Sequence, residues 1–94
     1  MLSKMPIDLK KISRENLDKE ILRAGIIAEL DAITLYEQLA AATENNDIKK
    51  ILLDIAREEK THVGEFQSLL LKIDRQQVDE LKAGEKEVKE ELGK

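Results

Sequence analysis

An all-α fold is predicted for this chain, an antiparallel two-helix hairpin followed by a short C-terminal helix. Three observations predict it. Aromatic residues make up 2% of the 94, with no Trp and one Pro, so strands and Pro-rich loop architectures have little support. Hydrophobic residues at 41% and charged residues at 38% suit soluble helices with one apolar stripe each, and do not suit a disordered chain. Apolar residues then recur at spacings of three and four through two long stretches. The length accommodates one domain, residues 1–94, and excludes a separate cofactor module.

The elements follow in order. Residues 1–13 read as a mixed N-terminal arm, because Pro6 lacks a donor and restricts Met5. Its Leu2, Met5, Ile7 and Leu9 are expected to dock on something. Lys4, Pro6 and Asp8 interrupt that apolar set, so neither a signal peptide nor a membrane helix is expected, and the cytosol is the default address. Helix one is read over 16–44, with Ser13 or Asn16 as candidate N-cap and Leu22, Ile26, Ile33, Tyr36 and Ala40 on one stripe. Glu44-Asn45-Asn46-Asp47 breaks the period as a tight turn, where Asn46 or Asp47 is placed to cap the next helix. Helix two is read over 47–73, striped by Ile48, Leu52, Ile55, Phe66, Leu69 and Ile73. Asp74 and Gln77 have capping-box spacing for a C-terminal helix over 75–92, weakly patterned by Val78, Leu81, Val88 and Leu92, with Gly84 in its middle. The terminal Glu/Lys run reads as a solvated face.

Charge narrows the function. Sixteen Lys and Arg against 20 Asp and Glu leave a formal charge of -4, which disfavours nucleic acid and anionic membranes as partners and favours cations. Without Cys there is no disulfide and no thiolate site, so a metal would be held by carboxylate and imidazole, donors suited to iron or manganese.

The informative residues break the stripes. On helix one the series 22, 26, 29, 33, 36, 40 is apolar except at Glu29 and the amphipathic Tyr36. On helix two the series 48, 52, 55, 59, 62, 66, 69, 73 is apolar except at Glu59 and His62. A carboxylate in an apolar seam needs a partner or a proton. At 1.5 Å per residue, Glu29 and the Glu59–His62 pair both lie about 20 to 24 Å from the turn, level across the hairpin. Glu59 and His62 are an i, i+3 pair, so both can reach one ion. Di-iron carboxylate bundles take a Glu from each of two helices and a Glu-x-x-His pair from each of the other two. This chain holds one copy of each, and a two-fold dimer would complete a four-helix bundle and a two-metal site together. Four carboxylates would then balance two divalent ions. Read singly, His62 is more often a satisfied structural histidine, and Glu58 and Glu65 are solvated or near-site acids out of phase with the seam. Tyr36 is either a core residue or a hydrogen-bond donor to a ligand carboxylate.

Glu29, Tyr36 seven residues on, and the run Glu58-Glu59-Lys60-Thr61-His62 make the chain resemble the encapsulated ferritin family, a two-helix branch of the ferritin-like superfamily. The stretches IIAELDAITLYEQ and ILLDIAREEKTHVGEF carry the likeness, which spans about residues 17 to 81. The chain is similar also to the ferritin-like segment joined to the shell protein in some archaeal encapsulins. The resemblance implies a ferritin-like four-helix bundle made by dimers, with Glu29, Glu59 and His62 as catalytic iron ligands. It implies a tyrosine, Tyr36, beside the centre, and acidic residues, Asp31 and Glu58, near it or on the path of the incoming metal. Ala28 stands where some members have an acid, and Leu35 where a Trp precedes the tyrosine, so metal is expected to arrive by another route or at another rate. No cargo-loading tail is recognised after helix three, which leaves a free protein or a segment of a longer fusion open.

The activity so implied is a ferroxidase that oxidises Fe(II) to Fe(III) with dioxygen, using two iron ions per dimer, for iron storage or detoxification. Dimers would form a ring such as a decamer inside a cytoplasmic encapsulin nanocompartment. Two rivals stand beside it: peroxide reduction as in rubrerythrin-like relatives, disfavoured by the lack of Cys for a rubredoxin-type iron site, and a metal-free helical module whose seam Glu and His fix register.

Overall fold

The computed structural model describes residue 8, residue 10 and residues 13–94, so the expected docking of Leu2, Met5, Ile7 and Leu9 lies outside the described residues. Among them are three α-helices and no strand: α1 Arg14–Ala42, α2 Asn46–Ile73 and α3 Arg75–Leu92. None is long and apolar enough to cross a membrane.

Helix α1 begins and ends two residues before the expected 16–44. Ser13 is the N-cap with extended backbone, its carbonyl accepting from the Asn16 N–H at 3.1 Å. The helix stops at Thr43, whose Oγ1 accepts from the Asn45 N–H at 3.1 Å and so offers the backbone an alternative to another helical turn. The cap of α2 is Asn45, one residue before the pair expected to supply it. Its Oδ1 accepts from the N–H groups of Asp47 at 3.0 Å and Ile48 at 3.1 Å, while Asn46 is already helical.

Asp74 closes α2 and opens α3. Its N–H donates to the Leu70 carbonyl at 2.9 Å and its Oδ1 accepts from the Gln77 N–H at 3.1 Å. Only this half of the expected capping box forms, because the Asp74 N–H that Gln77 would have met is spent on α2. The second carboxylate oxygen accepts from Arg23 Nη2 at 3.0 Å, tying the corner to α1. The Asp74 side chain is 9% exposed, so both contacts are sheltered. Asp74→Ala is expected to cost about 1 to 3 kcal/mol in urea denaturation through the lost cap and the stranded Arg23. Asp74→Asn, which keeps the cap acceptor, is expected to lose less.

Helices α1 and α2 pack side by side along their length, and α3 packs sparsely on α2 alone. The radius of gyration is 16.6 Å, against about 12 Å for a compact domain of this length. Little of the chain is interior. Ile33, Ala40, Ala56 and Leu70 form the buried apolar set, and α3 buries no residue. Ile33 and Leu70 contribute roughly 1.5 to 3 kcal/mol each, small against the cost of ordering three helices.

The α1 stripe faces inward as expected at Ile33 and Ala40. On α2 the expected stripe splits: Ala56 and Leu70, outside the series, are buried against α1, while Ile48, Leu69 and Ile73 are about half exposed. The physical reason is that the apolar band of α2 is wider than one neighbour can cover. Helical phase sets Ile48, Ile51, His62, Leu69 and Ile73 in one open row beside the hairpin contact.

Candidate metal centre

The hairpin contact brings Glu29 of α1 to Glu59 and His62 of α2. Level placement comes from the turn at Asn45, and inward phase from the stripes that carry the three residues. His62 Nδ1 lies 3.5 Å from Glu29 Oε2 and 3.4 Å from Glu59 Oε2. The two glutamate side chains are 18% and 19% exposed, and that of His62 is 45% exposed, so the carboxylates sit behind the imidazole. One donor atom from each residue lies within 4.8 Å of the others.

These separations are informative. A charge-assisted hydrogen bond between imidazole and carboxylate would close to about 2.7 to 2.9 Å. Donors arranged around one ion at about 2.1 Å stand roughly 3.0 to 3.5 Å apart, and the His62 Nδ1 stands at that spacing from each carboxylate. Glu29 Oε2 is moreover buried with no hydrogen-bond partner among the described residues. A buried, unsatisfied carboxylate oxygen costs several kcal/mol, and a second carboxylate nearby raises that cost. A cation bound among the three groups removes both penalties, so the donor set fits a hard or borderline divalent metal. Glu29, Glu59 and His62 are the residues that could hold it.

A cleft of about 300 Å³ opens beside the cluster, lined by Glu29, His62, Glu65, Phe66 and Leu69. Glu65 was read from sequence as out of phase, yet it lines this space. The signal was its position three residues after His62, one turn along the same side of α2.

Of the other expected site residues, the acids Asp31 and Glu58 are not members of the Glu29, Glu59 and His62 group. Tyr36 is half-buried on the Glu29 face of α1, two turns further on. Asp31 is half-buried, and two residues from Glu29 it points from the opposite side of the helix. Glu58 is exposed and belongs to a surface group with Asp54 and Arg57. There the Arg57 hydrogen bond holds the Asp54 carboxyl below its usual range, and Asp54 in turn raises the guanidinium.

Two cross-helix ion pairs bracket the cluster. Lys60 Nζ donates to Glu37 Oε2 at 3.1 Å on one side and Arg23 meets Asp74 at 3.0 Å on the other. The first is exposed and contributes at most about 1 kcal/mol, so it guides register more than it holds the hairpin.

Comparison with known proteins agrees with the helical fold. A family model described as Rubrerythrin matches residues 20–92. The ferritin-like-encapsulin shell fusion protein of Pyrococcus furiosus is 61% identical over 84 residues, which are 89% of this chain and 24% of that protein. The encapsulin nanocompartment cargo protein EncC of Myxococcus xanthus is 39% identical over 69 residues, covering 70% of this chain and 53% of that protein. The chain thus spans about a quarter and about half the length of these two relatives. The crystal structure of the encapsulated ferritin domain from Pyrococcus furiosus matches with a TM-score of 0.85 at 55% identity, over 100% of this chain and 98% of that one. All-helical, hairpin-built and matched along most of its length, the chain belongs to the rubrerythrin family as an encapsulated-ferritin-like domain.

Proposed function

We propose that the chain is a ferroxidase whose working centre forms where two copies meet. The observation that carries this reading is the buried Glu29 Oε2, which makes no hydrogen bond among the described residues and faces the His62 Nδ1 at 3.5 Å, with Glu59 Oε2 at 3.4 Å from the same imidazole nitrogen. A metal-free register device would have closed its hydrogen bonds instead. Each chain offers two carboxylates and one imidazole, fewer donors than an iron ion takes up, and the half-exposed His62 lies in the open apolar row. A two-fold partner on that row supplies the second set of ligands, so that four carboxylates neutralise two Fe(II) ions. Carboxylates suit the reaction because they bridge and change denticity as charge rises, while each His62 contributes a neutral nitrogen.

Iron is the substrate. Two Fe(II) ions give up one electron each, and the pair of electrons with two protons reduces one dioxygen to hydrogen peroxide. The names of the relatives, an encapsulin fusion and an encapsulin cargo protein, support storage of the ferric product within an encapsulin shell in the cytoplasm. Assembly of dimers into a ring such as a decamer belongs to the same reading. Native mass spectrometry after anaerobic Fe(II) loading tests it, with two metals per two chains expected. An oxygen electrode is expected to show one dioxygen consumed per two Fe(II), faster than in buffer. Rates equal to buffer, or metal-free dimers at saturating Fe(II), would end the proposal.

The family match to Rubrerythrin favours a second reading, peroxide reduction at the same residues. Stopped-flow mixing of the Fe(II)-loaded protein with each oxidant is expected to give the faster ferric absorbance with dioxygen. A rate at least tenfold faster with peroxide would favour the peroxidase.

A further inference from the structure

We propose that Gly25 and Phe66 form a spacer that sets the distance between Glu29 on α1 and Glu59 and His62 on α2, and so tunes how tightly the cluster holds its ion; this rests on the metal-binding reading above. Gly25 lies four residues before Glu29 and Phe66 four residues after His62, so both stand one turn from the ligands on ligand-bearing faces. A Cβ built on Gly25 would lie 3.1 Å from each of Cε1, Cε2 and Cζ of Phe66. The tip of the ring is therefore seated on the α1 backbone. Rotation of the ring about its own axis leaves Cζ in place, so an added methyl is relieved by tilting the side chain or moving the helices apart.

Glycine is otherwise a poor choice here. It is among the weakest formers of a helix interior, and α1 is well over twenty residues long on both sides taken together. Gly64 and Gly84, also within helices, meet nothing within 4 Å, so close approach is particular to Gly25. Phe66 also lines the cleft beside Glu29 and His62, which makes it both the spacer's second half and a wall of the site. Helices transmit a displacement at this contact to ligands about 6 Å along their axes. A cluster with donors 3.4 and 3.5 Å apart has little tolerance for it.

The test uses Co(II) as a redox-inert probe, with affinity from calorimetry and coordination from its visible absorption. The wild-type chain is compared with Gly25→Ala, Phe66→Leu and the double variant. Each single change is expected to weaken Co(II) binding about tenfold to a hundredfold and to alter the visible spectrum, with helical circular dichroism unchanged. The double variant, in which a smaller side chain meets the added methyl, is expected to recover to within about threefold of wild type. A general packing defect would instead lower the urea midpoint of each metal-free single variant in step with its Co(II) affinity, which urea denaturation checks. Phe66→Leu introduces no clash and keeps the test decisive if Gly25→Ala folds poorly. Unchanged Co(II) affinity in a folded single variant, or no recovery in the double, overturns the spacer while leaving the metal site standing. Failure of the wild-type chain to bind Co(II) overturns the metal reading and the spacer with it.

Discussion

Replacing Glu29, Glu59 or His62 with alanine is expected to lower iron-dependent oxygen consumption by at least about a hundredfold while leaving helix content intact. Loss of one carboxylate removes a charged oxygen donor and leaves the bound metals with uncompensated positive charge, and loss of His62 removes the neutral nitrogen. Stability should move the other way for Glu29. In metal-free protein its Oε2 is buried without a hydrogen bond among the described residues, so Glu29→Ala relieves a penalty of about 1 to 3 kcal/mol at the cost of a small cavity and of the 3.5 Å contact with His62. Urea denaturation with and without Co(II) separates the two effects. The metal-free variant is expected to match or exceed the parent, and the stabilisation that metal gives the parent should vanish. Oxidation at the parental rate by Glu29→Ala would remove this residue from the centre.

The second large effect is expected from a residue that touches no ligand. Ile51 is 60% exposed in the single chain and lies in the open row of α2. Eleven residues before His62, it is about 16 Å from the imidazole along the helix. Ile51→Glu is expected to leave the hairpin folded and to place an unpaired charge where a second copy should sit. Loss of the buried Ile together with the buried charge amounts to roughly 4 kcal/mol, or about a thousandfold in dimer dissociation. Light scattering should then report monomer, and Co(II) binding should fall with it although all three ligands are intact. A dimeric variant with a full metal complement would place the partner on another face. The pairing of the two outcomes, association and metal, is the signature of a centre shared between chains.

Much of this was legible in the sequence because it depends on period and spacing. Apolar residues recur at three and four along both long helices, more sharply on α2 than on α1, and the polar run from Glu44 to Asp47 fixes the fold-back. Once the turn is known, equal distance along two helices puts Glu29 opposite Glu59 and His62. What escaped depends on side-chain detail at ends and contacts. Whether Thr43 stops α1 or Asn45 caps α2 is decided by hydrogen bonds worth about 1 kcal/mol, which a stripe pattern does not rank. Ala56 and Leu70 were missed as buried residues because the apolar band of α2 is wider than α1 covers, and sequence period alone gives no sign of which edge meets α1. The part of Gly25 rests on the Phe66 ring against it, a contact between helices that no spacing within one helix announces.

The scarcity of interior residues has a bearing on how the protein behaves at low abundance. With Ile33, Ala40, Ala56 and Leu70 as its enclosed apolar set, a lone hairpin is held weakly, and under the proposed pairing its folded population would be governed by mass action. When every working centre takes two chains, dilution below the dissociation constant removes activity as the square of chain concentration. Gathering copies into a small volume would therefore raise iron oxidation far more steeply than it raises the number of chains.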